Sequence, residues 1–252
     1  MGAGRLTWDA DGERFYETGV KRGVVYPYDT TNKIYTNGVA WNGLSSVSET
    51  PSGGEPNNIY ADDIKYLSLL SVEEFGGSIE AYTYPDEFAL LDGSAALKPS
   101  SAGADIPGVY MGQQSRKKFG LCYRTVVGND LGQEFYKLHL VYGAKVSPSE
   151  RQYQTVNDSP EAATLSWEFT TDPVNVNIDG VEYKPTSLIT IDTSKFEGLP
   201  PADKTKLLNN LKTLEDILYG TDGDDTTTPP TEATVARLPF PSEIATIMSA
   251  AG

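Results

Sequence analysis

Alternating apolar and polar side chains mark the centre of the chain as β-sheet. Three runs repeat with a period of two: Phe119–Val127, Phe135–Tyr142 and Ala163–Thr171. This period places one set of side chains on each face of a sheet, so the apolar set can be buried while the polar set meets water or a partner. Similar runs predict further strands at Val39–Val47, Ile64–Leu70, Ser78–Tyr84 and Ser187–Asp192.

A hairpin is predicted after the third central run. Val174–Ile178 and Val181–Tyr183 flank the dipeptide Asp179-Gly180. Both positions of this dipeptide tolerate a positive φ, which a type I′ turn requires. The two runs should therefore pair as antiparallel strands.

One long helix is predicted over residues 200–219. Its leucines lie at positions 207, 211, 214 and 218. Spacings of four, three and four residues form one apolar stripe, which would pack the helix against the sheet. Prolines at its start and a glycine at position 220 suit the two ends of a helix. A shorter helix is predicted after Pro85, ending at Gly93.

The remaining segments lack periodicity and are predicted to connect or extend the sheet. Residues 48–63 are rich in Pro, Gly, Ser and Asn and should form a long loop. Residues 220–236 should form an acidic, mobile loop. Residues 1–38 should form an N-terminal arm or hairpin, and residues 237–252 a C-terminal arm that docks on its own domain or on a neighbour. We expect a single all-β domain, residues 1–252, with one flanking helix.

Charge limits the classes of function. The chain has 20 Lys and Arg against 35 Asp and Glu, which gives a net charge of −15. This balance argues against binding nucleic acid by neutralising phosphates, yet it allows a surface that DNA passes without adhering. The single cysteine, Cys122, rules out an internal disulfide and favours folding in the cytosol. No apolar run is long enough to predict membrane insertion.

No arrangement of residues predicts catalysis or a bound metal. The only histidine, His139, lies within a predicted strand between Leu138 and Leu140, which favours a structural role over a Ser-His-Asp triad. One Cys and one His cannot form a Cys/His zinc site, and no glycine-rich phosphate loop is present. We therefore predict no catalytic residue, no cofactor and no metal. Carboxylates are plentiful, so an acid/base pair for sugar hydrolysis stays open, although the sequence singles out no two of them.

Long runs between Trp41 and Ile244 carry a resemblance to a known family. They are WNGLSSVSETPSGGEPNNIYADDIKYL, EEFGGSIEAYTYPDEF, GQQSRKKFGLCYRTVVGND, YKLHLVYGAKVSPSERQYQTVNDSPEA, and LEDILYG followed later by ARLPFPSEI. These runs resemble the major tail tube proteins of long, non-contractile-tailed bacteriophages that infect Gram-positive bacteria. The chain departs from the family in the insertion GTDGDDTTTPPTEAT, before ARLPFP.

The resemblance implies two packed antiparallel sheets flanked by a helix, as the β-sandwich or barrel of a ring-forming tail tube subunit. It implies rings of six copies that stack into a tube through which the genome moves, with no enzymatic activity. The expected partners are further copies of the chain, the tape measure protein, other tail proteins, and DNA that passes without specific binding. The expected location is the tail of the virion, assembled in the host cytoplasm.

Two groups of residues have expected roles in such a tube. Glu80 and Glu168 are expected to face the lumen, and the alternative is an outward, solvated face. Arg124 and Lys137 are candidates to pair with these acids within a subunit or between subunits. The residues 48–63 are expected to reach the next ring. Contacts between subunits or rings are expected at Trp41, Pro51, Gly53, Gly54, Pro56, Ile59, Tyr60, Leu238 and Phe240. Burial within the same subunit is the alternative for the aromatic and aliphatic members of that group.

Two other classes of protein remain open. One is a receptor- or carbohydrate-binding β-sandwich component of the virion tail tip, for which the aromatic side chains would supply stacking surfaces. The other is an enzyme that acts on glycans. Electron microscopy separates the tube from both, because only the tube gives stacked rings with a central channel.

Overall fold

The computed structural model describes residues 8–71, 73–100, 103–148, 162–223 and 232–250, together with residues 151, 153 and 155. Within these residues the strands are β1 (Phe15–Asp29), β2 (Ile34–Tyr35), β3 (Val39–Trp41), β4 (Leu44–Glu49), β5 (Pro56–Ala61), β6 (Ile64–Leu70), β7 (Gly76–Ala81), β8 (Ala95–Ala96), β9 (Tyr110–Met111), β10 (Phe119–Asn129), β11 (Glu134–Val146), β12 (Leu165–Thr171), β13 (Val174–Ile178), β14 (Val181–Thr186) and β15 (Leu188–Asp192). The helices are α1 (Asp86–Leu91), α2 (Pro201–Tyr219) and α3 (Pro241–Ser249), and Thr193–Phe196 forms a 3-10 turn. The chain is therefore all-β with flanking helices, as predicted.

The main sheet has nine antiparallel strands and is built on β10 and β11. Its path runs β2-β1-β10-β11-β12-β7-β4, and β3 pairs with β1. Residues 137–141 of β11 pair with β15, whereas residues 144–146 pair with β12. The sheet therefore divides along β11, and β12, β7 and β4 form a second layer. The sheet stays open among the described residues of one chain, so the barrel form of the prediction is not found there.

The first core lies between the two layers. Ile79 and Trp167 project into it from β7 and β12, and Leu121 projects from β10. The ring of Trp167 lies 5.6 Å from that of Trp41 and 5.2 Å from that of Phe88, both nearly edge to face. Such aromatic pairs add about 0.5–1.5 kcal/mol beyond the area they bury. This cluster fixes the second layer on the first.

The second core lies between the first layer and the helices. Cys122 and Leu140 face it from β10 and β11, and Ile244 faces it from α3. The leucines of α2 that are buried here are Leu211, Leu214 and Leu218. The predicted helix over residues 200–219 and its apolar stripe are confirmed. In order, the subunit has the β4–β7–β12 layer, the first core, the β1–β10–β11 layer, the second core, and the helices α2 and α3. The short helix α1 instead places Phe88 and Leu91 in the first core.

Most local predictions in the sheet are confirmed. The three central runs form β10, β11 and β12, and the turn between β13 and β14 has positive φ values of 50° at Asp179 and 83° at Gly180. The short helix after Pro85 forms as α1, with Gly93 at φ 93° just beyond it. The predicted strand Val39–Val47 is divided into β3 and β4, because Gly43 turns the chain with φ 77°.

The predicted N-terminal arm or hairpin contains a long strand of the main sheet. Residues 15–29 form β1, which runs beside β10, and its end folds back as a hairpin onto β2. β1 carries one extra residue between Thr18 and Val20 and another between Lys21 and Val24. Each bulge shifts the period of two by one residue, so no continuous alternation marks this strand in the sequence.

The long loop over residues 48–63 is also corrected. β4 continues to Glu49, and β5 pairs with β6 as an antiparallel hairpin. The turn between them is Asp62-Asp63, with positive φ values of 50° and 60°. This pair lacks the glycine that usually marks such a turn, so the sequence did not signal a hairpin.

The C-terminal arm docks on its own domain. It includes α3, which packs on α2 and places Ile244 in the second core. The acidic segment before it is closed at its base, where Thr221 and Thr234 pair through their backbones. The expected mobility of that segment concerns residues 224–231, which lie outside the described residues.

Candidate assembly surfaces

The hairpin of β5 and β6 is exposed on both faces. Its ladder pairs Asn57 with Leu69 and Ile59 with Leu67, and every residue of the two strands is exposed. Its large apolar side chains are 36–74% exposed; they are Ile59, Tyr60, Ile64, Tyr66, Leu67, Leu69 and Leu70. A two-stranded hairpin is marginally stable alone in water, and exposed apolar patches mark interaction sites. The hairpin is therefore a candidate surface for a second polypeptide.

The root of this hairpin continues the pairing of β4 with β7. Ser52 and Glu74 exchange backbone hydrogen bonds of 2.8 and 2.7 Å, and the Ser71 N–H donates to the Glu55 carbonyl at 3.2 Å. A continuous ladder from the sheet fixes the direction of the hairpin. The hairpin is thus positioned by the β4–β7–β12 layer and not by contacts of its own side chains.

The outer face of the β4–β7–β12 layer is polar. Its side chains are Ser46, Ser48, Ser78, Glu80, Ser166, Glu168 and Thr170. They alternate with side chains that belong to or pack against the first core, such as Ile79 and Trp167. The helices α2 and α3 cover the opposite side of the subunit, and the described layers leave this face open. It is the second candidate surface.

The two predicted lumen residues lie together on this face. Glu80 is opposite Ser166 and Glu168 is opposite Ser78, so the acids occupy adjacent strands on the same side. Glu80 is half-buried and accepts a hydrogen bond from the Ser46 hydroxyl at 3.4 Å, and Glu168 is exposed. Neither forms an ion pair with the described residues. Their orientation toward a lumen stays a prediction.

The proposed basic partners of these acids bind elsewhere within the subunit. Arg124 lies between β10 and α2, where its guanidinium contacts Glu215 at 2.6 Å and donates to the Tyr219 hydroxyl at 3.0 Å. Lys137 forms an ion pair with Glu17. Pairing of Arg124 or Lys137 with Glu80 or Glu168 inside one chain is therefore wrong.

The single histidine belongs to a network near the root of the hairpin. His139 Nδ1 lies 3.0 Å from Glu49 Oε1, and His139 Nε2 lies 3.0 Å from the Thr125 hydroxyl. The order hydroxyl, imidazole, carboxylate resembles a catalytic triad, but the Thr125 hydroxyl donates its proton to Glu17 at 2.5 Å. The ring stacks on Tyr123 at 4.6 Å. The network joins β10 and β11 to Glu49, the last residue of β4.

Both carboxylates of this network have pKa values below the ordinary glutamate value. For Glu49, the hydrogen bond with His139 is the main cause, and it outweighs the effect of burial. For Glu17, burial raises the pKa, but the hydrogen bonds from Lys137 and Thr125, together with the charges of Lys137 and His139, lower it by more. Burial raises the pKa of Tyr123 strongly, so its hydroxyl remains a donor to Glu49 at 2.5 Å. The network therefore favours charged carboxylates at neutral pH.

The predicted interface residues divide into two groups. The exposed group is Pro51, Gly53, Gly54, Pro56, Ile59 and Tyr60, all on the hairpin or the segment before it. Trp41 and Leu238 are only 4% and 2% exposed, so the expectation of a contact between subunits is corrected for these two. Trp41 packs in the first core and donates its indole N–H to the Thr83 carbonyl at 2.8 Å. Phe240 is half-buried beside the ring of Tyr35 at 5.5 Å.

Within the described ranges, no group of three His, Cys, Asp or Glu side chains is arranged to hold a metal ion. In the same part of the chain, no helix combines the length and the apolar character needed to cross a membrane.

Sequence reasoning missed the apolar side chains of β6. It predicted the strand Ile64–Leu70 with the observed bounds but did not identify it as exposed. A usable signal was the absence of alternation, because Leu69 and Leu70 follow each other and cannot both face one core. No protein-family model matches the sequence, and comparison with curated proteins gives no match either.

Proposed function

We propose that the chain is a structural subunit of a bacteriophage tail, which assembles with copies of itself into rings of six. The rings stack into the tail tube, the conduit for DNA during ejection into the host. The resemblance of the runs between Trp41 and Ile244 to tail tube proteins supplies this architecture. The observation that carries the proposal is the β5–β6 hairpin, whose large apolar side chains are exposed and belong to neither core of the described chain.

The position of the hairpin favours contact with a neighbouring ring. It extends the β4–β7 ladder beyond the two cores, and both of its faces are open. Association of identical subunits by a head-to-tail contact gives a closed ring when the rotation closes, and a filament when it does not. A stacked tube combines the two kinds of association, since the sheet layers form each closed ring and the hairpin links one ring to the next.

The polar face of the β4–β7–β12 layer supports the second part of the proposal, a wall around DNA. Glu80 and Glu168 give this face an acidic character, and serines supply most of its remaining side chains. The net charge of −15 acts in the same direction. At an ionic strength of 0.1 M the Debye length is about 10 Å, so repulsion acts only near the wall and keeps DNA from adhering during transit.

The proposal assigns no catalysis and no cofactor to the chain. Its partners are further copies of itself, with the tape measure protein inside the tube and other tail proteins at its ends. It is assembled in the host cytoplasm and resides in the virion tail.

Negative-stain electron microscopy of the purified, concentrated protein tests the proposal. Stacked rings with a central channel are expected. Discrete compact particles that bind glycan would instead favour the tail-tip binding protein, and turnover of cell-wall sugar would favour the enzyme.

A variant without the hairpin provides the matched control. Glu55 and Ser71 are already joined by a backbone hydrogen bond, so a two-residue turn can replace residues 56–70. Neither core includes a residue of this segment. The variant should therefore fold with the thermal stability of the full chain, form no stacked tubes, and elute as smaller species in size-exclusion chromatography.

A further inference from the structure

A groove lies between β1 and the turn that joins β3 to β4. Its volume is about 480 Å³, and it is lined by residues 20–24, residues 40–44 and Tyr219. Leu44 supplies an apolar part of its floor, and it packs so closely on Gly23 that a Cβ atom there would meet the leucine Cδ2 at 2.7 Å.

The rim of the groove is basic. Lys21 and Arg22 line it and are exposed, and they lie at the second bulge of β1, where Arg22 has a φ of 53°. The bulge removes Arg22 from the regular ladder and turns it toward the groove. Neither side chain forms an ion pair with the described residues. In a chain with a net charge of −15, two adjacent unpaired cations beside an apolar floor suit an acidic segment with apolar flanks.

The tip of the β5–β6 hairpin has this composition. Asp62 and Asp63 form its turn, and neither has an ion-pair partner among the described residues. Tyr60 and Ile64 lie on either side of the turn, and both are exposed. The tip thus combines two carboxylates with two large apolar side chains.

We propose that the tip of the β5–β6 hairpin docks in this groove on a second copy of the chain. Asp62 and Asp63 then meet Lys21 and Arg22, and an apolar side chain beside the turn covers the floor at Leu44. The occupant is a second copy, because the tip is exposed in its own chain and takes no part in lining the groove. The inference rests on the proposed self-assembly and names the surface that receives the hairpin.

Disulfide cross-linking between two singly substituted proteins tests the docking. One copy carries Ile64→Cys and the other, marked by a tag that changes its gel mobility, carries Asn42→Cys in the groove wall. Cys122, the only natural cysteine, is fully buried and contributes no accessible thiol. Mixing and oxidising the two proteins should give a mixed dimer on a non-reducing gel.

The β13–β14 hairpin supplies the matched control. Val181 follows the Asp179-Gly180 turn as Ile64 follows the Asp62-Asp63 turn, and the two are 54% and 64% exposed. Val181→Cys with Asn42→Cys should give at most a tenth of the mixed dimer that Ile64→Cys gives. Equal yields from the two hairpins would overturn the proposal.

Electron microscopy of the same mixtures separates this inference from the proposed function. Rings without the cross-link between positions 64 and 42 would overturn the docking but would still support the proposed tube. The cross-link without rings would support the docking and contradict the tube. Absence of both would overturn both.

A second variant tests the charges without unfolding the hairpin. Asp62→Asn with Asp63→Gly removes both carboxylates and installs the dipeptide that type I′ turns favour most. Because exposed ion pairs contribute about 0.2–1 kcal/mol each, the concentration needed for assembly should rise between about twofold and thirtyfold. An unchanged assembly concentration would show that the two carboxylates do not contribute to the contact.

Discussion

Removing two leucines from the hairpin should weaken assembly without weakening the subunit. Leu69 and Leu70 are 53% and 74% exposed, so about half and three quarters of each side chain can still be buried by a partner. Fully burying a leucine contributes about 2 kcal/mol, which gives about 1 kcal/mol for Leu69 and about 1.5 kcal/mol for Leu70. Threonine keeps the β-propensity and one methyl group, so Leu69→Thr with Leu70→Thr should cost about 2 kcal/mol per contact.

The assay is the protein concentration at which sedimenting assemblies first form. A loss of about 2 kcal/mol raises this concentration about thirtyfold, while the melting temperature of the unassembled subunit stays unchanged. Val181→Thr with Tyr183→Thr changes a similar exposed surface on the β13–β14 hairpin and should leave the concentration unchanged. Equal effects of the two double substitutions, or none from the first, would refute the assignment of the hairpin as the contact surface.

Three further predictions concern the subunit, each measured below the assembly concentration. Arg124→Met should lower the free energy of unfolding, measured in urea, by about 3 kcal/mol, because Glu215 then keeps its charge without an ion-pair partner. Adding Glu215→Leu should recover most of that loss. Equal losses in the single and the double variant would contradict the role of the ion pair. Leu214→Ala should lower the free energy of unfolding by about 3 kcal/mol, since Leu214 is fully buried, and a loss under about 1 kcal/mol would contradict the second core. Glu49→Gln should flatten the fall of melting temperature between about pH 5 and pH 3. The hydrogen bond with His139 lowers the pKa of Glu49, so the contribution of Glu49 to stability is present above pH 4.5 and is lost as the pH falls through the lowered pKa. Parallel curves of melting temperature against pH for the variant and the natural chain would refute the network.

The sequence predicted the elements whose pattern is set by burial within the chain. β10 alternates because Leu121 faces the first core while Cys122 faces the second. The leucine stripe of α2 is continuous because Leu211 and Leu214 meet one sheet face. The Asp179-Gly180 turn was predictable because its requirement for positive φ is local.

The elements that were missed depend on something other than burial. β1 was hidden because its bulges at Gly19 and Arg22 interrupt the alternation. β6 was predicted, but its pairing with β5 was hidden, because both strands are exposed on both faces and the Asp62-Asp63 turn carries no glycine. Burial of Trp41 and Leu238 could not be separated from an interface role, since an aromatic or leucine side chain suits both.

The candidate site was predicted in composition but not in arrangement. Glu80 and Glu168 were selected as polar strand positions, and their adjacency follows from the pairing of β7 with β12, which neither strand specifies alone. The groove between β1 and the β3–β4 turn is lined by three separate segments of the chain, one of them at a bulge of β1, and only the fold brings these segments together.

A three-dimensional reconstruction of the assembled protein by electron microscopy tests the central claim most directly. The account predicts rings with a central channel whose wall is the β4–β7–β12 layer, with Glu80 and Glu168 facing the channel and α2 on the outside. An assembly without a channel, or one whose channel is lined by the helices, would contradict it.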